Sequence, residues 1–422
     1  MFRYGYFVRL PNGRLMPAGQ DWGPTLDTYK KGDSLGTKNG REGIVYAVVK
    51  DGLAKQVGVD VLVVVEERVP MAGSVIQRMA QMFEELKSPR LVSRPQIHTE
   101  FLGKKVRAVR ESVHLRPREE SFQDFQLFLL LQILGKKWYD EEMLKPPTTR
   151  HMVLQWRAER NELLRAQQQP GDDPAKPVRA QMTGNVKALQ VLADDIYQLE
   201  HALKTPRKII ERLRDQRQFQ GARYEIAVAS IFARCGFDIS FIDDHSKKSP
   251  EFIAEKEAEQ IAVEAKSRHR PGVLQHPGRP AQEVGAASAN IKHHYEEALQ
   301  QNPGGIPFLV FIDVNLPLAP DVVPLERTWV KEAMKCFDDR RKEGKLDDPD
   351  TGLVLTNFGW HYFRDPQAPP GESTVVRAAR PLFAMREETW QLLDRALSEY
   401  GLLVDEEEHE KAVRARYPDL NR

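Results

Sequence analysis

GARYEIAVASIFARCGFDISFIDDHSKKSPEFIAEKEAEQIAVEAKSRHR, residues Gly221 to Arg270, is the stretch on which the fold turns. Its apolar positions first repeat every three or four residues and then every two. From Gly221 to Cys235, Tyr224, Ala227, Val228, Ile231, Phe232 and Cys235 line one side of a helix, and Glu225 falls at the margin of that side, beside Phe232. Gly236 ends this helix, as a residue tolerant of positive φ does. Phe237 to Ile242 alternates as a strand, and Asp243 to Ser249 is a polar connection. Pro250 opens a second strand, PEFIAE, and IAVEAK is a third.

The third strand carries the chemistry. Its two-residue period puts Ile261, Val263 and Ala265 on one face and Ala262, Glu264 and Lys266 on the other, so a carboxylate and an ammonium project together. A hard divalent cation needs oxygen ligands from more than one place. A lysine next to a carboxylate on one strand can hold or activate a water that attacks a phosphate.

In these residues the chain resembles the PD-(D/E)xK nuclease superfamily, over about residues 221–314. Pro250-Glu251 stands in the place of the PD pair, with glutamate where the family has aspartate, and Glu264-Ala265-Lys266 stands as the ExK. Glu225 corresponds to the acidic residue that many members carry on the preceding helix. The resemblance implies a restriction-endonuclease-like fold, a mixed central sheet flanked by helices. It also implies a metal-dependent nuclease cutting phosphodiester bonds, DNA before RNA. Glu251, Glu264, the carbonyl of Ala265 and Glu225 would hold Mg²⁺ or Mn²⁺, and Lys266 would orient and activate the attacking water.

The tripeptide alone decides nothing, because ExK also occurs at Glu85-Leu86-Lys87 and Glu343-Gly344-Lys345. Both of those lie in charged helical stretches or their ends, where solvated helix charges account for them. Only the middle one ends an apolar β run after a PE-initiated strand. The bland alternative for it is a surface ion pair on an edge strand.

Bulk properties bound the remainder. A chain of 422 residues holds two or three domains, and its 41% hydrophobic and 29% charged residues are those of a soluble globular protein. With a formal net charge of +1, any attraction for nucleic acid must be local. The opening MFRYGYFVRLPNGRL lacks the apolar core of a signal peptide, and FQLFLLLQIL is too short to span a membrane. Cys235 and Cys336 give neither a disulfide framework nor a zinc spacing, which suits the cytoplasm.

The pattern divides the chain into residues 1–113, a mixed α/β module; 114–220, a helical region with a linker at 170–178; 221–385, the nuclease-like domain; and 386–422, a C-terminal helix with an acidic tail. In the first, Gly43 to Lys50 and Val59 to Val69 read as strands and Ser74 to Lys87 as a helix. No glycine motif for phosphates occurs there, and the N-terminal half is left for a homodimer contact or a partner protein. In the second, Glu119 to Leu144 reads as a helix buried on most sides, Met152 to Gln169 as another, and Thr183 to Phe219 as mostly helical.

After Pro206 the chain is locally basic, and Arg217 and Arg223, with Arg268 and Arg270 beyond the third strand and Lys292 on a helix from Glu283 to Gln300, are the expected contacts to a phosphate backbone. Pro307 to Val314 reads as a buried strand, Glu326 to Lys342 as a helix, Leu353 to Thr356, His361 to Arg364 and Ser373 to Phe383 as strands, and Glu387 to Tyr400 as a helix. Two further readings stay open: a nuclease fold that binds nucleic acid without cutting it, and a regulatory protein acting through its N-terminal half.

Overall fold

The computed structural model describes residues 2–9, 15–23, 30, 34–36, 42–50, 61–67, 98–101, 103–168, 178, 180–202, 205–242, 249–279, 290–317, 319, 322, 326–342, 351–363, 374–379 and 385–403. Residues up to Phe125 cluster as one compact unit and Gln126–Leu403 as a second.

The first unit is built on strands. β1 (Phe2–Arg9), β2 (Leu15–Gly23), β3 (Ser34–Gly36), β4 (Glu42–Val49) and β5 (Val61–Glu67) form a sheet in the order β2-β1-β5-β4-β3. β1 and β5 run parallel and the other pairs antiparallel. The two strands read from β-branched content are β4 and β5, and the helix expected at Ser74 to Lys87 lies outside the described residues. β6 (His98–Phe101), β7 (Lys104–Val109) and β8 (Ser112–Pro117) form a separate antiparallel meander that periodicity did not signal.

The boundary between units falls within α1 (Phe122–Leu134), not at residue 113 or 220. Ser121 caps α1 reciprocally, accepting from the Asp124 amide at 3.1 Å and donating to its carboxylate at 2.7 Å. The expected single helix to Leu144 breaks at Gly135, and α2 (Lys136–Met143) follows. α3 (Met152–Gln167), α4 (Gly184–Ala202), α5 (Arg207–Arg214) and α6 (Phe219–Arg234) complete the helical half of the second unit.

A six-stranded mixed sheet forms the other half. β9 (Asp238–Phe241), β10 (Phe252–Lys256) and β11 (Glu259–Ser267) run antiparallel, and β11 then pairs in parallel with β12 (Phe308–Asp313). α7 (Ile291–Leu299) precedes β12, and α8 (Thr328–Lys342) follows it. β13 (Thr351–Asn357) extends the parallel part, β14 (Thr374–Ala379) closes the sheet antiparallel, and α9 (Glu387–Ser398) comes last, giving the order β14-β13-β12-β11-β10-β9. His361, expected to begin a strand, lies in a 3₁₀ turn at Trp360–Tyr362. Trp360 is buried and stacks on Phe358 with centroids 5.6 Å apart.

Helices cover both faces of the sheet. Ala262, Val310, Ile312, Leu353 and Leu355 pack on one face against Ile291 and Tyr295 of α7 and Trp329 and Ala333 of α8. On the other face Phe232 of α6 meets Phe237, Phe252 and Phe311 edge-on. α6 differs from the expected amphipathic helix, because every residue from Phe219 to Ala233 is buried. It lies between the sheet and α4, so both of its sides are interior. Gly236, at φ 80°, ends its chain direction as expected.

Polar groups hold α6 in register. Asp195 of α4 accepts from Ser230 at 2.5 Å, from Tyr400 at 2.6 Å and from Arg234 at 3.1 Å, while Asp194 accepts from Arg234 at 2.7 Å. Burial still raises the Asp195 carboxyl to about 6, so the network fixes position at an electrostatic cost. The C-terminal helix α9 also packs on α6, which joins it to this unit and removes the expected boundary at residue 386.

Candidate active site

The register of two strands sets the first two carboxylates together. Phe252 pairs with Val263 in the antiparallel β10–β11 ladder, and one step further along that register Glu251 stands opposite Glu264. Directly opposed residues bring their Cβ atoms to roughly 5 Å. The Glu251 carbonyl accepts from the Ile242 amide at 3.0 Å, which ties the end of β10 to β9.

β11 lies in the interior of the sheet, between β10 and β12, and Glu264 is fully buried. A surface pair on an edge strand is therefore excluded for this ExK. Lys266 reaches over Glu264 at 2.6 Å, with about a quarter of its side chain open. Gln301, just beyond α7, completes the arrangement. With its amide nitrogen turned inward it donates to Glu264 at 2.5 and 2.9 Å and to the Ser249 carbonyl at 2.9 Å, and its oxygen accepts from Lys266 at 2.9 Å. The ExK side chains are thus fixed by a carboxamide that the motif does not contain.

Glu225 enters from α6. Arg212 of α5 closes on it with both arms, Nη1 to Oε2 at 2.5 Å and Nη2 to Oε1 at 2.6 Å. Burial is the main reason that the Glu225 carboxyl rises to about 7, and the Glu251 charge adds to it, while Arg212 and Lys266 oppose it. Glu264 rises to about 8, again chiefly by burial. Lys266 works against that rise, and Glu251 and Glu225 reinforce it. The carboxylates thus repel one another in a place from which water is largely removed, and two cations do not fully offset them.

Glu225, Glu251, Ala265, Lys266 and Arg268 all line one open groove of about 570 Å³, together with Arg212, Gly221, His269, Asn290 and His294. Glu264 is fully buried and is not part of that lining. Of the other expected phosphate contacts, Arg217 and Lys292 are exposed but stand outside the groove lining. Arg223 and Arg270 correct the expectation, since both are buried. Arg223 lies 4.0 Å from Asp313, and Arg270 donates to Tyr362 at 2.8 Å and to the Asn315 carbonyl at 3.4 Å. Their guanidinium groups hold the loop and sheet end together. α7 starts at Ile291, with Asn290 at φ 52° before it, and the residues expected to extend it back to Glu283 lie outside the description.

Sequence reasoning missed Arg212, His269, His294 and Gln301. Arg212 was one basic residue among several, and only the packing of α5 on α6 selects it; Gln301 carries no motif.

In type, the oxygen donors suit a hard divalent cation. In placement, no three His, Cys, Asp or Glu side chains among the described residues are set to hold one ion. Glu251 lines the groove, Glu264 is buried next to Ala265, and Glu225 is held by Arg212. Among the described residues no helix is long and apolar enough to cross a membrane. Compared with protein-family models, with curated proteins and with solved structures, the chain matches none.

Proposed function

We propose that the second unit is a metal-dependent nuclease hydrolysing phosphodiester bonds, with DNA as its substrate. The observation that carries this reading is the cross-strand pair Glu251 and Glu264 with Lys266 above it, at a groove lined by Glu225, Glu251, Lys266, Arg212 and Arg268. Glu251, Glu264 and the Ala265 carbonyl would hold Mg²⁺ or Mn²⁺. A bound divalent cation would supply charge stabilisation for the phosphate and make water a better nucleophile. Lys266, held by Glu264 and Gln301, orients that water. Arg212 holds Glu225 in place and opposes its protonation. Incubation of plasmid DNA with the protein tests the reading: cutting with Mg²⁺ or Mn²⁺ and none in EDTA is the expected result, and intact DNA under every condition counts against it.

One observation favours a second reading. Glu225 is committed to Arg212 and no three acidic or histidine side chains converge, which also suits a fold that binds nucleic acid without cutting it. Binding that persists in EDTA without cleavage supports that alternative.

A further inference from the structure

The groove also carries basic groups beside its carboxylates. A Cβ placed on Gly221 would lie 3.0 Å from Nε2 of His269 and 3.5 Å from Nη2 of Arg212, so an imidazole and a guanidinium both close on the Gly221 backbone, where a side chain would crowd them. Arg212 spends one N–H from each terminal nitrogen on Glu225 and retains further donors, with about a third of its side chain exposed. His269 is exposed on the loop after β11, and its ring lies 5.3 Å from that of His276, which bonds the Arg217 carbonyl at 3.0 Å. A phosphate oxygen matches this pair: it accepts from both donors and needs no carbon framework around it.

We propose that Arg212 and His269, converging over Gly221, form an oxyanion subsite that takes a phosphate group beside the carboxylates. The proposal deepens the nuclease reading and rests on it for the source of the phosphate, a nucleic-acid strand. Partial burial lowers the His269 pKa, and His276 and Arg212 add to it. An anion seated there opposes that lowering.

The test is calorimetric titration with inorganic phosphate in EDTA at pH 6, below the values of about 7 and about 8 for Glu225 and Glu264, so that both carboxyls carry protons. Arg212→Gln and Gly221→Ala are titrated beside the parent chain. Alanine is the better helix former, so Gly221→Ala fills the subsite without weakening α6, which a melting curve checks. A tenfold or greater loss of phosphate affinity in both variants is expected. Equal affinity in the variants, or no binding by the parent chain, overturns the subsite. Titration with a dinucleoside monophosphate and with a 5′-nucleotide then identifies the source: preference for the first assigns an internal diester, and for the second a strand terminus. Phosphate binding without metal-dependent cutting would remove the nuclease reading and leave the subsite. Cutting without phosphate binding would do the opposite.

Discussion

The guanidinium of Arg212 and the carboxylate of Glu225 form a two-armed ion pair, at 2.5 and 2.6 Å, between a short basic helix and a helix with no exposed side. Removing the cation would leave a buried charge with no direct counter-ion. Above the Glu225 value of about 7, at pH 8.5, Arg212→Ala is therefore expected to cost about 3 kcal/mol in urea denaturation, and Arg212→Lys less, since it keeps the charge and loses the fork. A cost below about 0.5 kcal/mol would mean that Glu225 is already protonated in the parent chain.

Stability should also depend on pH in a set direction. Glu264 and Glu225 stand at about 8 and about 7 in the folded chain against an ordinary value of 4.5. The folded state then holds protons that the unfolded state has released, so unfolding free energy falls as pH rises from about 4.5 towards 8. Melting temperature in EDTA should decline across that window, Glu264→Gln should flatten the decline, and Mg²⁺ or Mn²⁺ should reduce it by favouring the ionised carboxylates.

Gln301 offers a sharper test of the site than the motif residues do. Its amide bonds both Glu264 and Lys266, so Gln301→Ala should lower cleavage by roughly 10- to 100-fold while DNA affinity in EDTA stays within about twofold. Equal loss of binding and cleavage would point to a surface contact instead.

The basic residues separate by burial. Arg217→Ala and Lys292→Ala should each reduce the salt dependence of DNA binding by about one unit with melting unchanged. Arg223→Ala should instead lower the melting temperature, because it strands Asp313, a fully buried carboxyl.

Much of the sheet was legible because burial imposes a local pattern. IAVEAK alternates, and PFLVFIDV is nearly continuously apolar, and each became a strand of the interior of the sheet. Glu225 and Lys266 were singled out by helix margin and strand period, and Glu251 and Ala265 by the family resemblance; all four line one groove. Tertiary contacts supplied what the pattern could not. α6 is buried all round because α4 covers its polar side, which no local period reveals. Arg223 and Arg270 looked like surface cations and are interior. Arg212 and Gln301 reach the site across 13 and 35 to 50 residues of chain, the latter span counted to Lys266 and Glu251.

The most direct measurement is cleavage of supercoiled plasmid in Mg²⁺, Mn²⁺ and EDTA by the parent chain, Glu264→Ala and Lys266→Ala, with circular dichroism on each to confirm folding. A metal-requiring nuclease predicts cutting by the parent chain only, with Lys266→Ala still binding DNA in a gel-shift assay. Intact plasmid in every lane, or cutting unchanged in both variants, would contradict a hydrolytic site at Glu264 and Lys266.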